Sequence, residues 1–210
     1  MSSPFYKNLL PEFDSIKDDN ENILWIGKPK FIPYMFSGLV SGLFTLAFGI
    51  IWMLSTINFK NSEVSGTSAF MWLFGFLPIL LGLYAFMNRL LSYSNTAYAY
   101  SDKRVMMRSG FIGTDFKTID YDKISDIELT VNIIERIYNV GSIQFFSGRT
   151  QTNDGKTTNL YDYWTAIDNP YEVFKMVKQT SVNIKTDFNY PNALRPDTNP
   201  GYKTKYGGIE

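Results

Sequence analysis

The sequence contains no cysteine and no histidine among its 210 residues. The absence of cysteine excludes disulfides, thiol nucleophiles, iron–sulfur clusters and zinc sites built on thiolates. The absence of histidine excludes a Ser-His-Asp triad, His-x-x-x-His metal sites and the usual proton shuttle at neutral pH. The sequence also has no GxxxxGKS/T or GxGxxG phosphate loop and no GxSxG nucleophile elbow. These absences predict a protein that is not an enzyme and that uses no metal and no cofactor.

The sequence also has no net charge, because 20 Lys and Arg residues balance 20 Asp and Glu residues. A chain without net charge has no global field that attracts nucleic acid, so we expect no nucleic-acid partner. Carboxylates do cluster in the second half of the chain, and an acid–base dyad or a metal site is the alternative interpretation of this cluster. Strand alternation favours a solvated face instead, and no catalytic or metal-ligating residue is predicted. The cluster comprises Asp115, Asp120, Asp122, Asp126 and Glu128.

Two long apolar segments dominate the first half of the chain. Residues 31–59 and 64–88 contain no Asp, Glu, Lys or Arg. About 20 apolar residues in a helix are enough to cross the core of a bilayer, so the sequence predicts two transmembrane helices joined by a short linker. Two buried helices of a soluble core are an alternative, but so short a chain could not bury them. A signal peptide would have a shorter apolar region that begins earlier.

Positive charges near the ends of these segments predict how the chain crosses the membrane. Lys60 is the only Lys or Arg in the linker, whereas seven flank the outer ends. The positive-inside rule then places both termini in the cytoplasm and the linker outside. We therefore expect a multi-pass protein of the inner membrane. The seven flanking residues are Lys17, Lys28, Lys30, Arg89, Lys103, Arg104 and Arg108.

Small and aromatic residues within the two segments suggest how the helices pack. Gly38 and Gly42 form a GxxxG motif, which allows two helices to approach closely, and they are candidate helix-packing residues. Trp52 and Trp72 both lie on the linker side, as expected for an aromatic belt at the membrane interface. Pro78 predicts a kink in the second helix. The lack of ionisable residues at membrane depth argues against ion or proton coupling.

The chain after the second apolar segment has the period-two pattern of antiparallel strands. Apolar and polar residues alternate over residues 104–109 and 126–131, and turn residues recur between such runs. Residues 132–139 break the alternation and predict a short helical turn. Asn169 is a suitable N-cap and Pro170 a suitable first residue of an amphipathic helix. Six or seven strands closed by one helix form a bent sheet. The remaining predicted strands are residues 93–101, 114–121, 141–147 and 157–164.

Five segments carry a family resemblance through their order and spacing: residues 22–29 (NILWIGKP), 98–105 (YAYSDKRV), 119–131 (IDYDKISDIELTV), 134–143 (IERIYNVGSI) and 167–170 (IDNP). Together they resemble the membrane-anchored bacterial pleckstrin-homology (PH) domain family, type 2, with Ser101 where threonine is usual. The resemblance implies a PH-like fold, in which a bent antiparallel sheet of about seven strands is capped by a C-terminal helix. The family has no established catalytic activity, and eukaryotic relatives of the fold often bind phosphoinositides.

The sequence therefore predicts an α+β chain in which a two-helix transmembrane hairpin precedes a PH-like domain. We expect a non-enzymatic scaffold or interaction module that associates with itself. Its expected partners are the lipid bilayer, a second copy of the chain and a protein of a membrane complex. The predicted segments are 1–33 (N-terminal, cytoplasmic), 34–58 and 69–90 (transmembrane helices), 59–68 (external linker), 91–182 (cytoplasmic PH-like domain) and 183–210 (disordered tail).

Three basic residues suggest an alternative function. Arg104 and Arg108 share a strand face, and Lys103 lies in the adjoining turn, shortly after the second apolar segment. Such a cluster attracts anionic head groups, so these residues are candidate contacts of an anionic-lipid sensor. The competing interpretation is that they satisfy the positive-inside bias or pair with Asp102 and other acids. A further alternative is an accessory subunit of an envelope-stress, secretion or transport complex.

Overall fold

The computed structural model describes residues 12–59, 67–111 and 113–189. These residues form two compact units. The helical unit comprises Phe31–Asn95 with Gly110–Thr114, and the β-sheet unit comprises the described residues before Phe31 together with Thr96–Ser109 and those from Asp115 onward. The helical unit is therefore inserted into the chain of the β-sheet unit.

The helical unit consists of α1 (Phe31–Phe59) and α2 (Thr67–Asn95), both longer than the sequence predicts. Within α2, the stretch Phe74–Asn95 is long and apolar enough to cross a membrane by itself. In α1, Phe31–Ser37 and Gly42–Thr56 meet at a bend of 64°, and α1 reaches the required length only if both pieces count as one span. The two-helix transmembrane hairpin therefore stays a prediction. The linker between the helices lies outside the described residues.

The β-sheet unit contains two antiparallel sheets. The first has the order β1 (Ile23–Gly27), β2 (Ala97–Ser101), β3 (Arg104–Ser109) and β4 (Asp115–Asp120). The second has the order β5 (Asp126–Thr130), β6 (Val140–Asn153) and β7 (Lys156–Asp168), with α3 (Ile133–Ile137) between β5 and β6. α4 (Pro170–Asn189) follows β7. The predicted α+β fold with about seven antiparallel strands and a C-terminal helix is confirmed, but the strands form two sheets and not the one bent sheet that the sequence predicts.

Strand β1 is the main feature of the fold that the sequence analysis missed. It lies in the predicted N-terminal segment and pairs with β2, with Gly27 opposite Tyr98. The whole helical unit separates these two strands in the sequence. No local pattern reveals a partner that lies so far along the chain. The remaining differences are at element ends. Residues 93–95 belong to α2, and α4 continues past 182 because Ile184 still packs on the core. The predicted disordered tail therefore does not begin at residue 183, and residues from 190 on lie outside the described part.

The main core lies between the two sheets and centres on the fully buried Trp164. Its ring packs against Trp25, Tyr98 and Phe145, with ring centroids 5.4, 5.8 and 5.0 Å away. Val177 of α4 closes this core. Aromatic residues from both sheets therefore meet at one tryptophan.

A second, smaller core covers the opposite face of the first sheet. Phe13 is fully buried there against Met106, and its ring meets Phe116 edge-on at 5.8 Å. Met106 shares this face of β3 with Arg104 and Arg108, and a strand with one polar face is normally half-buried. β3 is instead buried on both sides, because the chain before β1 folds over this face. The other members of the cluster are Ile26, Ala97 and Ala99.

Candidate functional site

The three predicted lipid-contact residues all lie against acidic residues of the chain before β1. Arg108 Nε is 2.6 Å from a Glu12 oxygen. Arg104 pairs with both Asp18 and Glu21, and the Lys103 ammonium is 3.7 Å from Asp18. These ion pairs fit the interpretation in which the basic residues pair with acids of the chain, although the partners are acids other than Asp102. Lipid contact by the same residues stays a prediction.

The Arg104 pair is the most buried part of this cluster. The carboxylate of Glu21 is fully buried, and it also accepts a hydrogen bond from the Ser101 hydroxyl. Desolvation is the largest effect on Arg104 and acts to lower its pKa. Hydrogen bonds and charge from Asp18 and Glu21 together outweigh it and raise the pKa of Arg104 above the ordinary value. Asp18 and Glu21 of the same chain therefore stabilise the charged form of the Arg104 guanidinium.

The position of Arg104 along the sheet also bears on lipid contact. β2 begins directly after the helical unit and runs from Ala97 to Ser101, so the turn to β3 lies at its far end. A five-residue strand is about 16 Å long. Arg108 lies opposite Ala97 at the near end, where Lys28 has its pKa lowered by desolvation and by the charge of Arg108, partly offset by Glu12. The three basic residues therefore do not form one patch at one end of the sheet.

A concave pocket of about 370 Å³ lies between β4 and β6. Its basic side chains are already paired: Lys117 and Arg149 both contact the nearly buried Asp162. Lys123 lies 2.8 Å from Asp120, and that hydrogen bond raises the pKa of Lys123. An anionic ligand would have to displace these carboxylates. Over the part of the chain that the structure describes, no three acidic side chains approach closely enough to hold a metal ion.

Glycines line the contact between α1 and α2, and they include positions outside the predicted motif. The surroundings of Gly38 lie outside what the structure describes. A Cβ at Gly42 would make an ordinary 3.4 Å contact with Ala85. A Cβ at Gly49 would lie only 2.8 Å from the Gly75 carbonyl oxygen, and one at Gly82 would overlap Leu46. The sequence analysis missed these three because they lie outside a GxxxG pattern within one helix.

Two tryptophans and an arginine complete the description of the helical unit. Trp52 lies beside Phe74 of α2 with ring centroids 6.3 Å apart, and Trp72 is exposed. Their predicted role at a membrane interface stays a prediction. Near the other end, Arg89 donates two hydrogen bonds of 3.0 and 2.8 Å to the Tyr34 carbonyl oxygen and stacks over the Tyr34 ring. Arg89 thus clamps the first turn of α1 to α2.

Residues 31–160 match the family model of the bacterial PH domain. This range covers more than half of the chain, and the chain therefore belongs to the bacterial PH domain family, as the sequence resemblance predicts. A PH-like domain of this kind indicates a non-enzymatic interaction or scaffold module. No curated protein matches the sequence.

Proposed function

We propose that the protein is a membrane-anchored interaction module, in which α1 and α2 hold the PH-like β-sheet unit at the surface of the inner membrane. In this proposal the helices form the two-pass hairpin that the sequence predicts, with both termini in the cytoplasm. The β-sheet unit then serves as a scaffold for a second copy of the chain or for a partner protein.

The observation that carries this proposal is the outward exposure of large apolar side chains along both helices. Only 11% of the apolar stretch in α2 is buried, whereas a core helix of a soluble protein is mostly buried. Phe44 and Ile51 of α1 and Tyr84 of α2 are among the most exposed apolar side chains. An apolar surface of this extent is stable in lipid and unstable in water.

The position of the helices in the fold supports the same proposal. The chain leaves the β-sheet unit after β1 and returns into β2, and these strands are paired neighbours. An anchor inserted between two adjacent strands connects to the module at one end only. Neither helix is joined directly in sequence to the second sheet, β5 to β7, and in this proposal the second sheet offers the surface for a protein partner.

Labelling of single cysteines in cells tests the anchoring and the orientation. The chain has no cysteine of its own, so Ser62→Cys and Thr198→Cys each provide one reactive site. We expect the first variant to react with a membrane-impermeant maleimide in intact cells and the second only after lysis. The reverse pattern would overturn the orientation, and release of the chain from membranes by alkaline carbonate would overturn the anchoring.

The kind of partner requires a separate measurement. Affinity purification in mild detergent, followed by cross-linking and mass spectrometry, distinguishes a second copy from a fixed partner of a membrane complex. A chain that purifies alone and does not cross-link to itself would contradict the scaffold role while leaving the anchoring intact.

A further inference from the structure

Three large apolar side chains of the β-sheet unit are exposed to an unusual degree. Ile133 is 82% exposed, Ile137 is 74% exposed and Tyr171 is 67% exposed. In the described part of this unit, every other large apolar side chain is less than half exposed. Single exposed apolar residues are common on soluble proteins, but three at this level indicate a surface that contacts a partner or a membrane when the protein functions.

All three lie near the end of the unit from which the chain leaves for α1. Val140 pairs with Asp168, so the start of β6 lies beside the end of β7; α3 ends just before β6, and α4 begins just after β7. Lys30, the last residue before α1, donates its backbone N–H to the Ala166 carbonyl oxygen at 2.8 Å. Its ammonium donates to the Tyr138 carbonyl oxygen at 3.1 Å. We call Ile133, Ile137 and Tyr171 the junction residues.

The two isoleucines are presented on a fixed support. They are four residues apart and therefore lie on one face of α3. A capping box holds the start of this helix: Glu135 N–H donates to Asn132 Oδ1 at 2.8 Å, and Asn132 N–H donates to Glu135 Oε2 at 2.9 Å. The buried Glu135 carboxylate also accepts from the Ser142 hydroxyl. These hydrogen bonds hold α3 in the orientation in which Ile133 and Ile137 are exposed.

The charge around α3 favours an anionic, lipid-like partner. Arg136 lies between the isoleucines in sequence and is exposed. Glu135 is engaged in the capping box and Asp168 in an ion pair of 3.0 Å with Lys30, whereas Glu172, next to Tyr171, is exposed. Apolar side chains next to a basic residue are typical of segments that lie in the membrane interface, and tyrosine is enriched in this interfacial layer.

The size of the surface argues against a second copy as its occupant. A stable dimer needs about 800 Å² of contact from each partner, and three side chains supply only a fraction of this area. A membrane contact needs no such area, because the anchor keeps the unit at the bilayer and the contact only has to orient it.

We propose that the junction residues insert into the interfacial layer of the bilayer that holds α1 and α2. The proposal rests on the membrane anchoring proposed above. The inserted residues fix the orientation of the β-sheet unit, so that its end opposite the junction faces away from the membrane.

Lipid quenching of the intact chain in vesicles tests this insertion. Single cysteines replace Ile133, Ile137 or Tyr171. Thr157→Cys is the control, in the exposed end of the β6–β7 hairpin, which is called the ribbon below. Each variant carries an environment-sensitive dye and is reconstituted into vesicles of zwitterionic and anionic phospholipids, with or without bromine on the acyl chains. We expect brominated lipid to reduce the emission at the three junction sites at least twofold and to leave the emission at residue 157 unchanged.

The outcomes separate the two proposals. If alkaline carbonate releases the chain from the vesicles, the anchoring is wrong. If the chain stays embedded but brominated lipid does not quench the junction labels, the insertion is wrong and the anchoring stands. Blue-shifted labels without lipid quenching would show that protein covers the surface, which also overturns the insertion.

A paired substitution supplies a second measurement. Ile133→Ser with Ile137→Ser should leave thermal stability unchanged, because both side chains are exposed, and should reduce the quenching of a label at residue 171 by at least half. Leu160→Ser, an exposed apolar position on the ribbon, is the matched control and should have no effect. Unchanged quenching at residue 171 in the double variant would contradict a shared insertion.

Discussion

Glu21 and Arg104 form a two-point ion pair, with nitrogen–oxygen distances of 3.0 and 3.1 Å and a fully buried carboxylate. The pair joins the chain before β1 to the first strand beyond the β2–β3 turn. It makes the segment that precedes the apolar helices a structural part of the PH-like unit.

Replacement of Glu21 by alanine should destabilise the β-sheet unit strongly. The change leaves the largely buried Arg104 with only the exposed Asp18 as a partner, and loss of one member of a buried ion pair costs about 3 kcal/mol. Urea unfolding of the detergent-solubilised chain, followed by tryptophan fluorescence, measures the loss. Asp19→Ala, at an exposed neighbouring acid, is the control. Equal effects of the two changes would show that the pair contributes nothing specific.

Phe13→Ala should have a comparable effect by a different mechanism. The ring is fully buried in the second core, and removal of a buried phenylalanine side chain costs about 3 to 5 kcal/mol. Leu24→Ala, at a half-exposed position in β1, should cost less than about 1 kcal/mol. The same unfolding measurement compares them, and a small effect of Phe13→Ala would mean that the second core is dispensable.

A soluble domain should result when the helical unit is removed and the two flanking pieces are joined. Gly27 lies opposite Tyr98, so a short glycine-serine linker can connect residue 30 to residue 96. We expect residues 12–30 joined to 96–189 to give dispersed amide signals by NMR in the absence of detergent. Residues 91–182 alone should give poorer dispersion, since they lack β1, the stack of Trp25 on Trp164 and the end of α4. Equal spectra would show that β1 is not required.

Gly49→Ala should weaken the contact between α1 and α2, whereas Gly42→Ala should not. The new Cβ at residue 49 would lie 2.8 Å from the backbone oxygen of Gly75, but at residue 42 it would make an ordinary 3.4 Å contact with Ala85. Overpacking of this kind costs about 1 to 3 kcal/mol. The midpoint of SDS-induced unfolding should therefore fall only for Gly49→Ala, and the reverse order would contradict the described helix contact.

Local patterns in the sequence predict much of this fold. Period-two alternation identifies most strands after residue 96, and the Asn169-Pro170 pair marks the observed start of α4. The lack of charge in residues 31–59 identifies an apolar helix without any knowledge of its neighbours. These features depend on residues close together in the chain, where side-chain periodicity and capping act directly.

The tertiary structure decides which faces are covered. Alternation makes Arg104, Met106 and Arg108 an outer face, but only long-range folding brings Phe13 onto Met106 and the acids onto the arginines. Likewise, the sequence of α3 reads as a short helical turn, and only the packing of the capped helix shows that Ile133 and Ile137 point away from the core. Burial depends on every element that reaches a surface, so a pattern within one element cannot determine it.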